Sequence, residues 1–150
     1  MTTKHIARWI REEHAKVNEL ASRLRDHLVT LPSASRAPWI AELRERFEHL
    51  RAHLIKHMAL EEQDGYMVPV METRPTLSDQ VDRLKHEHTE LTRLLDLIHQ
   101  TIGDLKPDDR LCLRDCCRRI DDFLSYLERH EQNENILVIS VFTDDIGTEG

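Results

Sequence analysis

Residues 113–141 read LRDCCRRIDDFLSYLERHEQNENILVISV. Leu113, Cys116, Ile120, Phe123 and Leu127 follow one another in alternating steps of three and four, and the pattern resumes at Leu137 and Val141. Such steps mark a helix that buries one stripe of its surface. Carried through the gap, the same steps land on His130 and Glu134. Side chains four apart on a helix stack on one face, so this stripe aims an imidazole and a carboxylate at one point in the core.

Three further segments show the same stripe and the same kind of interruption. The first runs Ala7, Ile10, Val17, Ala21, Leu24, Leu28, Leu31, and His14 fills its gap. The second runs Ile40, Leu43, Phe47, Leu50, Leu54 and then continues through His57 and Glu61. The third runs Val81, Leu84, Leu91, Leu95, Ile98, Ile102, Leu105, with His88 in the gap. The breaks between segments carry their own signals. Pro32 follows the first, and Pro38 opens the second at a position suited to a first turn. Glu72–Ser78, with Pro75, separates the second from the third, and Ser78 is the expected N-cap. Gly103–Asp109, with Pro107, separates the third from the fourth, where Asp108 is the expected cap. Short connections make successive helices antiparallel neighbours, so the expected fold is all-α, an up-down-up-down four-helix bundle over residues 1–142. Residues 143–150 are expected to form a polar, frayed tail.

Composition agrees with this reading. In 150 residues, 33% are charged and only 5% aromatic, which favours helices over sheets built on aromatic and β-branched residues. A net charge of -7 argues against nucleic acid or an anionic membrane surface as a partner. Met1–Arg11 lacks the apolar core of a secretory signal, and no apolar run approaches a membrane span, so a cytoplasmic protein is expected. Cys112, Cys116 and Cys117 form an odd, clustered set that makes a poor disulfide framework and fits a reducing compartment.

Histidines alone do not decide the matter. About two positions in seven lie on such a stripe, so roughly three of the ten histidines would fall there by chance. The carboxylates are the discriminating feature. Of 28 acidic residues only Glu61 and Glu134 interrupt the stripes, and a buried carboxylate is costly unless paired or bound to metal. Internal His–Glu ion pairs are the alternative. Depth also matches: His14 lies 17 residues before Leu31 and His57 lies 19 after Pro38. At about 1.5 Å per residue those levels coincide, while His88 and His130 differ by about one turn, to be absorbed by their loop. Four imidazoles and two carboxylates suit iron, manganese or zinc rather than calcium or magnesium, and exceed the needs of one tetrahedral zinc. Two metals bridged by the glutamates are expected, with three protein ligands each and room for an oxo, hydroxo or exogenous ligand. Ile10, Leu54, Met58, Leu84 and Leu127 are placed to shelter that position.

The segments around His14 (EEHAKVNEL), from His57 (HMALEE), around His88 (EHTEL) and from His130 (HEQNE), with the Val-Pro after Tyr66-Met67, resemble the hemerythrin-like, or HHE cation-binding, family. The resemblance spans nearly the whole chain and includes an internal repeat, a His followed some 43 residues later by His-x-x-x-Glu. It implies a di-iron centre with bridging carboxylates and an oxygen bridge, held by His14, His57, Glu61, His88, His130 and Glu134. Family roles include binding dioxygen or nitric oxide for storage, sensing or redox protection; repair of iron centres, peroxidase or nitric-oxide reductase activity, or a structural metal-binding bundle, is the alternative. The oxygen carriers have a His-x-x-x-His on the third helix. Leu84 and Thr92 flank His88 here, which shifts the expectation from carriage towards sensing, redox or repair, and towards a ligand binder over an enzyme. His53, one turn before His57 but one position off the stripe, is expected beside the ligands or partly exposed, with replacement of the missing ligand as the alternative. His86 with Glu90, and His5, His27, His49 and His99, are expected at the surface. Tyr126, one turn before His130, is expected to pack at the bundle edge. Trp9 and Trp39 flank the core, where packing is the default and a homodimer contact the alternative.

Overall fold

The computed structural model describes residues 3–63 and 65–143. Four long helices carry the fold: α1 (Thr3–Leu28), α2 (Arg36–Gln63), α4 (Ser78–Gly103) and α5 (Arg110–Val138), with a short α3 (Met67–Thr73) between α2 and α4. A 3-10 turn (Pro75–Leu77) leads into α4, and a π-type turn (Ile139–Thr143) closes α5. Contacts between helices give their directions. His27 of α1 touches Trp39 of α2, while Glu13 reaches His57, so the pair runs antiparallel. Arg51 with Asp96, and Glu62 with His88, set α2 against α4 in the same sense. His14 with Asn135, and Arg25 with Asp121, do so for α1 and α5. Glu87 meets His130 across α4 and α5, and farther along Leu94 and Tyr126 line one groove. The four long helices are thus the expected up-down-up-down bundle.

Three local details differ from expectation. The chain between α2 and α4 is helical over Met67–Thr73, a segment too short to show a helical period. Ser78 is the first residue of α4 and makes no side-chain cap, because the 3-10 turn hands the chain directly into the helix. Asp109, not Asp108, caps α5, accepting from the Cys112 amide at 3.1 Å. The register absorbs the extra turn of α5. With Glu87 opposite His130, the first turn of α5 lies level with the α4–α5 connection, where Arg36 donates to the Pro107 carbonyl at 3.1 Å. The tail expected after Phe142 lies, apart from Thr143, outside the described residues.

His27 is buried, contrary to the surface position expected of it. It stacks on Trp39 at 4.7 Å, bonds the Trp39 carbonyl through Nε2 at 2.9 Å, and its own carbonyl accepts from the Trp39 indole at 3.2 Å. The pair pins the end of α1 to the start of α2, so Trp39 is filled by its own chain. His5, His49, His86 and His99 are exposed.

The apolar interior is in two parts. One cluster, from Val17, Leu24, Leu43, Leu50, Leu95, Leu113 and Ile120 among others, fills the end nearest the α1–α2 loop. The second joins Ile6, Ile10, Tyr66, Met67, Val70, Val81, Leu84, Leu137 and Phe142 at the opposite end. Between them lies the layer of histidines and glutamates. Gly65 makes the second cluster possible. Its amide bonds the Leu60 carbonyl at 2.6 Å, and a Cβ there would lie 2.7 Å from Glu61 Cα and 2.9 Å from the Leu60 oxygen. Such contacts are with backbone and cannot be relieved by a rotamer change. Gly65→Ala is therefore expected to cost about 1–3 kcal/mol, read as a lowered denaturant midpoint; an unchanged midpoint would show that the chain tolerates a wider turn.

Candidate metal centre

The stripes converge as their spacing requires. His14, His57, Glu61, His88, His130 and Glu134 are all buried, the two glutamates completely. They fall into two overlapping sets: His14, His57, Glu61 and Glu134, and Glu61, His88, His130 and Glu134. Within each set one ligand atom per residue lies within 4.8 Å of all the others. Both carboxylates belong to both sets, so each set holds four residues, not the expected three; the sharing of two glutamates makes the difference.

Each imidazole has one nitrogen occupied and the other turned inward. The Nδ1 groups donate outward: His14 to Asn135 Oδ1 at 2.8 Å, His57 to Glu13 at 3.2 Å, His88 to Glu62 at 2.9 Å and His130 to Glu87 at 2.6 Å. The acceptors form a ring, each helix supplying the partner for the histidine on the next helix around the bundle. That leaves Nε2 to face the carboxylates, at 3.2 Å from His14 to Glu134, 3.1 Å from His57 to Glu61, 3.2 Å from His88 to Glu61 and 3.2 Å from His130 to Glu134. Of these approaches only that of His14 has hydrogen-bond alignment; Nε2 of His57, His88 and His130 and both Glu61 oxygens are buried without a hydrogen-bond partner. Buried polar atoms without partners are costly. A ring of them, its outer nitrogens fixed by acceptors, has the form of a ligand set around a cation. The residues therefore fit a metal.

Five participants have no counterpart in the single-stripe pattern. Tyr66, completely buried, donates its hydroxyl to Glu134 Oε2 at 2.6 Å. Only the turn at Gly65 brings it there. Glu131 is buried on α5, with its carboxyl pushed up to about 7, chiefly by burial. It sits seven residues after Leu124 and seven before Val138, both buried, so a second stripe along α5 carries its signal. The carboxylates Glu13, Glu62 and Glu87 each adjoin a residue of the two sets in sequence yet serve a histidine on another helix, which no local pattern shows. His53 belongs to neither set; it is half-buried, stacks on His57 at 6.2 Å and lies 3.3 Å from Glu13. Trp9 stacks on the other side of His57 at 5.7 Å. Tyr126 packs against the first apolar cluster, away from the site. The cysteines are all free thiols, and burial pushes Cys116 up to about 12, leaving it an inert core residue.

The sequence profile of the hemerythrin HHE cation binding domain matches residues 5–141. The chain belongs to that family. No curated protein and no solved structure matches it. Membership makes this hemerythrin domain a cation-binding bundle, and the buried His/Glu sets are the groups able to hold the metal. Among the described residues no helix is long and apolar enough to cross a membrane.

Protonation follows from the geometry. Burial, then the neighbouring Glu134, push Glu61 well above the usual carboxylate range. Glu134 is equally buried, but the close approach of Glu61, His130, His14 and His88 outweighs burial and holds it well below that range. The pair thus keeps one proton, on Glu61. Burial resists charging of His14 and His130, yet the closeness and charge of Glu134 override it and raise both. His57 is lowered to about 3 by burial and by the nearby His14, His53 and His88, so it is neutral and ready as a donor. Metal takes the deprotonated ligands and must displace the protons on Glu61 and on the raised histidines. Adding metal in weak buffer near neutral pH is expected to release protons, and apparent affinity is expected to fall as pH falls. Uptake without proton release, or affinity independent of pH between 6 and 8 (about one unit either side of neutrality), would contradict this protonation pattern.

Proposed function

We propose that this hemerythrin domain holds two iron ions, one in each His/Glu set, and uses them to bind a small diatomic ligand, dioxygen or nitric oxide, for sensing, storage or redox protection. The sharing of Glu61 and Glu134 by two sets of buried donors carries the reading. One fully buried cation would use four of the six residues and leave two imidazoles facing inward with no partner. The mix of imidazole and carboxylate suits iron, with manganese and zinc as the competing ions.

Held by His14, His57, Glu61, His88, His130 and Glu134, a ferrous pair would supply redox-active centres able to take a small ligand. The chain does the rest. The Nδ1 hydrogen bonds fix each ring and its tautomer, and Tyr66 fixes the orientation of Glu134 through Oε2. Ile10, Leu54, Met58, Leu84 and Leu127 are all buried around the layer and exclude water from it. Leu84, one turn before His88, offers no fifth imidazole, which supports sensing or redox protection over reversible carriage.

Reconstitution with ferrous iron should give two irons per chain. Glu61→Ala or His130→Ala should abolish stable double occupancy, while His86→Ala, at an exposed position, should leave it unchanged. Equal loss in all three would refute the ligand assignment. Mixing the reduced protein with dioxygen or nitric oxide should then give a stable adduct with a persistent spectral change; multiple turnovers would identify an enzyme in place of a binder.

A further inference from the structure

The acceptor ring around the site is broken at one place. His57, His88 and His130 rest on carboxylates, whereas His14 rests on the neutral amide of Asn135. The internal repeat makes the break visible. In the second helix the residue after the shared Glu61 is Glu62, the acceptor for His88; in the last helix the residue after Glu134 is Asn135. The consequences fall on one side of the centre. The His88/His130 set is backed by two carboxylates at 2.9 and 2.6 Å. The His14/His57 set is hydrogen-bonded by one amide and by Glu13, which lies at a longer 3.2 Å from His57 and stands equally close, at 3.3 Å, to His53, while Glu131 acts on His14 by charge without a hydrogen bond.

A carboxylate behind an imidazole makes its other nitrogen a stronger donor, and loss of such partners commonly costs about 10–100-fold in metal affinity. A second observation points the same way. A cleft of about 390 Å³ between α1 and α5 is lined by His14 and Asn135 themselves, with Arg11 and Asn18 at its wall. The cleft of about 270 Å³ on the α4–α5 face reaches Glu87 and Leu84 but neither His88 nor His130.

We propose that the two metal positions are unequal: the His88/His130 position holds its ion tightly, the His14/His57 position holds an exchangeable one, and Asn135 sets the difference. This rests on the two-metal reading above. The tight ion is then a standing part of the structure, and the second reports the supply of free metal through the α1–α5 cleft.

Anaerobic titration of the metal-free protein with ferrous iron, in competition with a chromophoric chelator, tests this. Two equivalents in two affinity classes at least tenfold apart are expected, with a chelator challenge of the loaded protein removing one ion well before the other. Asn135→Asp, nearly isosteric, should tighten the weaker class about tenfold or more and slow the fast phase of loss. Glu87→Gln should weaken the tighter class. A purely structural role for Asn135 predicts no gain of affinity in either class. Fewer than two equivalents would defeat the two-metal reading itself. Two equivalents in a single class, or Asn135→Asp leaving the weaker class unchanged or weaker with helicity intact, would overturn the inequality while leaving that reading standing.

Discussion

Two carboxylates with no access to solvent, Glu61 and Glu134, sit in the middle of a helical bundle. Everything around them is an answer to that burial. An isolated ionised carboxylate in such a place is strongly disfavoured, and two side by side are worse. In the metal-free chain the strain is relieved by one proton on Glu61, by imidazoles facing Glu134 and by the Tyr66 hydroxyl. A cation in each donor set would relieve it by charge instead. The positions of the histidines, the turn at Gly65 and the outer acceptor ring all follow from the need to compensate the same two groups.

The outer ring gives the bundle its handed order as well as its chemistry. Because Glu13 serves α2, Glu62 serves α4, Glu87 serves α5 and Asn135 serves α1, each helix is tied to its successor around the bundle by a bond to a buried imidazole. These bonds cross helix interfaces at one level and so fix register as well as neighbour. Apolar stripes alone would tolerate a slip of a turn along any pair. A slip here would leave imidazole nitrogens and carboxylates buried without partners on both helices.

The fold was legible because each long helix repeats its step of three and four over six or seven turns, and because the departures from it were few. The six inward residues were legible for the same reason: His14, His57, His88 and His130 fall where the stripe demands an apolar side chain. Tyr66 was not, since its place depends on a backbone turn that only close packing against Glu61 explains. The acceptors were hidden because each acts across an interface, and adjacency in sequence says nothing of which helix lies next in space. Glu131 was missed and His27 misplaced by treating the stripe as a line. A buried helix face is wider than one row, and both residues sit on its flank, where a polar head can still find compensation: the Trp39 carbonyl for His27, and the nearby charge of His14 and His130 for Glu131.

The polar layer separates two apolar clusters that share no continuous greasy seam. Mechanically, that layer is a joint. The four long helices run unbroken through it, so at that level they are held side to side by hydrogen bonds and charge, and on either side of it by close-packed hydrocarbon. The half holding both α3 and the π-type end of α5 is the smaller one and the one with the more irregular backbone. A change in the charge held at that level would therefore act first on how the helices meet side to side in the middle of the bundle, before it reached either apolar end.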